Sequence, residues 1–180
     1  MKTIIIGGVA GGASTAARLR RMDENAEIIM LERGPDISFA NCGLPYHIGE
    51  IIEDREKLHV VTPESLKAML NIDSRVRSEA ISINRAEKTV TIQNLETGET
   101  YHETYDKLVL SPGAAPIIPP LPGVDSPGVF TLRNLQDMDR IKDFVDTKKP
   151  VRAVVVGGGF IGLEIAEHLQ NRGVQVTLIE

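Results

Sequence analysis

The sequence has one cysteine in 180 residues, so no internal disulfide can form and the fold is not stapled. A single thiol in a chain of this size suits a reducing compartment, and the cytoplasm is the expected location. Long apolar runs are also missing. No segment approaches the roughly 20 residues that span a bilayer, and the apolar part of the opening MKTIIIGG is too short for a secretory signal, so no membrane role is expected. Positive charge is not in excess. A net charge of −5 argues against general nucleic-acid binding, although Arg18, Arg20 and Arg21 form a basic cluster that leaves a small anionic ligand open. His47, His59, His102 and His168 fall at no metal-ligand spacing, and one cysteine cannot complete a zinc set, so no metal is expected. What remains, 42% hydrophobic and 25% charged, is the composition of a globular protein with a real core.

Hydrophobic patterning organises the chain. TIIIGG predicts a buried strand and a glycine-rich turn, followed by a helix over about Gly12–Met22 and a second strand, AEIIMLE. The end repeats this plan. RAVVVGGG precedes a helix over about Phe160–Asn171, a stop at Gly173 and the strand VQVTLIE. Two such β-α-β openings predict two nucleotide-type folds, or one fold and the start of another. Between them, TPESLKAML reads as a helix with Thr62 as N-cap and Pro63 at its first position. Short strands are expected over Glu79–Asn84, Lys88–Asn94, Glu99–Tyr105 and Lys107–Leu110, with a turn at Thr97-Gly98. SPGAAPIIPPLPGVDSP carries six prolines and predicts a structured connector, and a helix over about Asn134–Val145 follows it. Within that helix, DMDRIKDF alternates charge and reads as a solvated face. The last strand completes only the opening motif of a fold, so the chain is expected to be the N-terminal piece of a longer protein.

The second turn, GGGFIG, places Gly157, Gly159 and Gly162 at G-x-G-x-x-G spacing between a strand and a helix, with Glu180 ending the next strand. Gly157 permits the tight turn, Gly159 lets a pyrophosphate approach the backbone, and Gly162 lets helix and strand pack closely. The helix N-terminus stabilises phosphate charge, and the terminal carboxylate can accept from a ribose. The first turn, GGVAGG, keeps Gly7 and Gly12, with Gly8, Ala10 and Gly11 around them and Glu32 ending the next strand. Val9 stands at the middle glycine position, which should make the close pyrophosphate approach harder. The choice between NADH and NADPH stays open. Cys42, in SFANCGLPY, precedes Gly-Leu-Pro at what reads as the start of a short helix, where the dipole would favour its thiolate, the reactive form. His47 could act as a base, although five residues along a helix lies off the sulfur's face.

These residues together resemble the FAD- and nicotinamide-dependent pyridine nucleotide-disulfide oxidoreductases over the whole chain. YDKLVLSPGA is similar to the family's second flavin motif, with Ser111, Pro112 and Gly113 in place of Ala-Thr-Gly; GGGFIGLEIAE is similar to its nicotinamide motif. SFANCG resembles the branch with one redox cysteine, closest to coenzyme A-disulfide reductases, including rhodanese-fused persulfide reductases. The resemblance implies an α/β architecture: a Rossmann-like FAD-binding domain over 1–115, a connector and helix over 116–148, and the opening β-α-β unit of an NAD(P)-binding domain over 149–180. It implies FAD and NAD(P)H as cofactors, contacted by Gly7, Gly8, Val9, Ala10, Gly11, Gly12, Glu32, Arg33, Cys42, Ala80, Ser111, Pro112, Gly113 and Arg133. Gly157, Gly159, Phe160, Ile161, Gly162, Glu164 and Glu180 complete the set, with Phe160 as an aromatic gate and Glu164 as an acid near the flavin. Cys42 is the implied catalytic thiol, and Ser14, Arg18, Arg21, Ser38 and Asn41 the implied contacts for coenzyme A. Ser14, Arg18 and Arg21 are spaced i, i+4, i+7 on one helix face, and guanidinium binds phosphate in a fork. Leu70 stands where relatives have a lysine contact, and Ala10 stands where peroxidases of the branch have a histidine. The partner implied is coenzyme A or its disulfide or persulfide, and the longer protein is expected to be a homodimer. An NADH oxidase working through a cysteine sulfenic acid and a nucleotide-binding piece without turnover are the alternatives.

Overall fold

The isoleucines that open the chain form strand β1 (Lys2–Ile6) of the computed structural model, which describes residues 1–180. β1 is central in a parallel sheet. It pairs with β2 (Glu27–Leu31) on one side and β7 (Lys107–Leu110) on the other, and β2 pairs with β3 (Asp73–Arg75). Strands covered on both faces read as apolar runs without alternation, and Ile4, Ile5, Ile28, Ile29, Met30 and Leu31 are all buried. One face packs Ile5, Ile28 and Met30 against Ala16 of helix α1 (Ala10–Met22) and Leu66 of α3 (Pro63–Leu70). The other face packs Ile4, Ile29 and Leu31 against Val90 and Ile92. These belong to an antiparallel sheet of β4 (Ser78–Asn84), β5 (Thr89–Asn94) and β6 (Thr100–Thr104). The result is the Rossmann-like α/β arrangement expected, in three layers.

Helix ends explain the boundaries. Thr62 caps α3 as expected, accepting from the Ser65 amide, while the Ser65 side chain returns a bond to the Thr62 amide. Arg20 stitches the C-terminal ends of two helices. Its guanidinium donates to the carbonyls of Asp23 and Glu24 after α1, and of Leu70 and Asn71 at the end of α3. It is therefore engaged with backbone, unlike Arg18 and Arg21, which are exposed.

The chain divides into two units. The first is Met1–Phe39 with His59–Gly113; the second is Ala40–Leu58 with Ala114–Glu180. The second unit contains α2 (Leu44–Ile48), which packs against α4 (Leu135–Lys148) and α5 (Phe160–Asn171), and a parallel pair of strands, β8 (Arg152–Val156) and β9 (Gln175–Ile179). The proline-rich stretch between β7 and α4 holds no helix or strand. One expectation is corrected in part here: of the charges of DMDRIKDF, Arg140 and Asp143 are exposed, but Asp137, Asp139 and Lys142 are turned to partners. Asp137 is buried and completes a capping box with Asn134. Asp139 receives Arg55 through Nε and Nη2, each at 2.9 Å, and Lys142 bonds Asp146 and Glu50. Alternating charge on this helix serves its own start and its neighbours. No helix is long and apolar enough to cross a membrane.

Candidate functional site

β1 delivers the first glycine turn. Gly7 is left-handed (φ +102°), and a Cβ there would stand 1.9 Å from the Ser111 carbonyl oxygen. At Gly12 a Cβ would stand 1.7 Å from the Gly7 carbonyl oxygen, so α1 crosses β1 at a separation only glycine allows. The Gly8 amide donates to Glu32 Oε2 and the Gly34 amide to Glu32 Oε1, both at 2.8 Å, which ties the acid after β2 to the turn. Val9 takes the N-cap position of α1 with a negative φ of −87° and no side-chain bond. The turn thus closes despite a valine at its middle position. The first turn of α1 carries no acidic residue, so its leading amides are free to face an anion.

The second turn repeats this geometry. Gly157 has φ +106°, and a Cβ on Gly162 would lie 1.9 Å from the Gly157 carbonyl oxygen. The Gly158 amide donates to the Glu180 carboxylate. α5 starts at N-cap Gly159 without a side-chain cap or an acid in its first turn, and the space beside Gly159 is open. Phe160 is 90% exposed and Ile161 exposed beside it. Both cradles fit a dinucleotide: tight glycine turn, uncapped helix N-terminus and a carboxylate at the end of the second strand.

The first unit brings Ser111 to the first turn. The Ser111 amide donates to the Ile6 carbonyl at 2.7 Å, and its Oγ lies 2.3 Å from where a Cβ on Gly11 would stand. Pro112 and Gly113 follow, exposed. Arg33 extends into solvent with Glu79 3.3 Å away, and Ala80 packs on the Val90–Ile92 cluster at a bulge in β4. Ser14, Arg18 and Arg21 are all exposed on α1, and Ser38 is left-handed (φ +43°), its amide donating to the Gly8 carbonyl at 3.0 Å. Leu70 gives its carbonyl to Arg20.

In the second unit, Asn41 and Cys42 are exposed on a 3-10 turn, Asn41–Gly43, that runs directly into α2. The thiol is accessible. Gly43 is pressed so closely on Leu58 that a Cβ would lie 2.6 Å from its Cδ2. His47 is buried, and its Nδ1 lies 2.6 Å from the Ile52 carbonyl oxygen. Arg133 is exposed just before α4, its amide donating to Asp137 at 2.9 Å; Glu164 is half-buried on α5. Sequence reasoning missed the Asp36–His59 pair, 3.0 Å apart in the first unit. Its only signal is the isolated bridge Phe39↔His59, which local patterns do not reveal.

The pyridine nucleotide-disulphide oxidoreductase family matches residues 1–180. The chain belongs to that family. It is 46% identical over 178 residues to a coenzyme A disulfide reductase of Staphylococcus haemolyticus, a match covering 99% of this chain and 40% of that protein. Among solved structures, reduced Bacillus anthracis CoADR-RHD superposes with a TM-score of 0.96 at 58% identity, over 98% of this chain and 32% of the other. A NAD-dependent persulfide reductase from A. fulgidus gives 0.94 at 37% identity, over 99% of this chain and 33% of the other. The chain thus spans about two fifths of the curated relative it matches, and this family member has a single cysteine.

Proposed function

We propose that this chain carries the cofactor turns and the redox cysteine of a flavoprotein oxidoreductase that uses NAD(P)H to reduce coenzyme A disulfide or a related persulfide or polysulfide. One observation carries it: an accessible lone thiol, Cys42, in a chain that holds two dinucleotide cradles of matching geometry. The first cradle, Gly7–Gly12 with Glu32, Arg33, Ala80 and Ser111–Gly113, would hold FAD, in a domain that would span residues 1–115 apart from 40–58, which group with the second unit. The second, Gly157–Gly162 with Glu180, would hold the nicotinamide nucleotide and opens a domain at 149, beyond a connector over 116–148. Phe160, Glu164 and Arg133 would be further cofactor contacts. Bound FAD would supply two-electron exchange between NAD(P)H and sulfur.

The Cys42 thiolate attacks one sulfur of the substrate disulfide. The S–S bond breaks, one thiolate leaves, and a mixed disulfide forms on Cys42. Arg18 and Arg21 would fork to coenzyme A phosphates from α1, with Ser14 beside them and Ser38 and Asn41 toward the pantetheine end. The whole protein carrying Cys42→Ser tests this. It should retain FAD and let NADH bleach the flavin, while disulfide reduction falls to background because serine forms no mixed disulfide. Undiminished reduction would overturn the assignment of Cys42. Mass spectrometry of the wild type should show a coenzyme A adduct on Cys42, released by dithiothreitol; a stable sulfenic acid would favour an oxidase instead. Replacing Arg18 and Arg21 together by alanine should raise KM for coenzyme A disulfide about tenfold or more with kcat little changed.

A further inference from the structure

The helix that follows Cys42 is only five residues long, too short to hold its own place. It is held by its far end. The carbonyl of Ile48, its last residue, accepts from Arg172 Nη1 at 3.2 Å. Arg172 Nη2 lies 3.3 Å from Glu50 Oε1 and 2.6 Å from Asp146 Oδ1, and Lys142 bonds the same two carboxylates. Burial would push the Asp146 carboxyl up, but bonds from Arg172 and Lys142 outweigh it and hold it below the usual range. One turn earlier on the same face of α5, His168 is 95% buried by its 5% exposure. Its ring lies 4.6 Å from that of Tyr46 on α2. It also lies against Gly49, where a Cβ would stand 2.5 Å from Nδ1. That Nδ1 has no hydrogen-bond partner, so His168 acts there through the shape of its ring.

We propose that Arg172 and His168 are positioning residues for Cys42, fixing the thiol through α2 from the helix that begins at the second glycine turn. The inference rests on Cys42 being the reactive thiol. Neither residue is catalytic: each acts on the backbone that carries the sulfur. α5 holds the nicotinamide cradle at its first turn and this clasp at its last, so the two functional parts of the second unit share one rigid element.

The test uses the whole flavin-loaded protein with coenzyme A disulfide as substrate. Arg172→Ala removes the clasp. Gly49→Ala wedges α2 away from His168 without changing any charge, at a residue whose negative φ of −79° accepts alanine. In both variants kcat should fall on the order of tenfold or more, because small misplacement of a reacting group has effects of that size. KM and the flavin spectrum should be unchanged, and amide hydrogen exchange should rise across Asn41–Ile48 but not in β1. Arg172→Lys, which keeps the charge beside Glu50 and Asp146, should recover part of kcat. Unchanged kcat in both variants, with or without faster exchange, would overturn the positioning role while leaving the proposed function standing. An inactive wild type would instead overturn the proposed function, and this inference with it.

Discussion

The two glycine turns share a backbone and differ in their surroundings. Gly7 and Gly157 have φ of +102° and +106°. Gly12 and Gly162 leave the same lack of room over the preceding carbonyl, and Gly8 and Gly158 donate to Glu32 and Glu180. Around the first turn, Ile4 and Ile5 of β1 are completely buried, whereas in β8 Val154 is 62% and Val156 81% exposed. The same turn geometry thus accompanies the same six-residue pattern and the same acid at the end of the next strand. Burial of the first strand comes from the helix and sheet layers stacked on it.

Substitutions at matched positions can break that equivalence. The largest effect is expected at Gly12→Ala, where the new Cβ would meet backbone at 1.7 Å between two buried elements. The first unit should lose about 4 kcal/mol or more, into the range that abolishes folding, as read by urea denaturation and flavin retention. Gly162→Ala would place its Cβ 1.9 Å from the Gly157 carbonyl oxygen and should push α5 off β8 in the same way; a neutral effect would break the equivalence of the two turns. Next, Ile5→Ala should cost about 2–5 kcal/mol. Arg20→Ala leaves carbonyls at the ends of α1 and α3 without their donor and should cost about 1–3 kcal/mol, with no effect on KM for coenzyme A disulfide.

The smallest effect concerns pH. Burial pushes the Glu103 carboxyl up, but bonds from Lys2 Nζ and Arg75 Nη1, each at 2.7 Å, outweigh it and hold it below its ordinary value. A carboxylate depressed in the folded state stabilises above its unfolded value, about 4.3 for glutamate, and that contribution is lost as pH falls through the lower folded value. Glu103→Gln should flatten the fall in urea midpoint of the first unit between about pH 5 and pH 3. Asp146 is its counterpart in the second unit, depressed by Arg172 and Lys142 against burial, and Asp146→Asn should flatten only the second unit's response. A common response to either change would mean that the two units melt together.

Much of this was legible in the sequence wherever the cause is local. The strands of the antiparallel sheet fall within one residue of expectation, and α5 spans Phe160–Asn171 as its glycine boundaries imply. Thr62 and Pro63 start α3 for reasons contained in four residues. β3 escaped because three residues, Asp73–Arg75, carry no period. Arg20 read as one of three surface arginines because its carbonyl partners on α3 lie about fifty residues away in the chain. Asp139 of α4 misled for the same reason: Arg55, its partner, is 84 residues distant. The placing of Cys42 at the start of a short helix was legible from the Gly-Leu-Pro that follows it. That its segment packs with α4 and α5 was not, since the bond from Arg172 to Ile48 spans 124 positions.

The stretch that bears Cys42 leaves and rejoins the first unit through a closed neck. Phe39 bridges His59, the Val60 amide donates to the Ser38 carbonyl at 2.8 Å, and just beyond, the Ala40 amide donates to the Leu58 carbonyl, also at 2.8 Å. Entrance and exit are thus pinned one ladder spacing apart, whatever lies between them. Residues 40–58 run between fixed terminals, and extra chain in the stretch between α2 and Arg55 would add a closure entropy that grows only with the logarithm of its length.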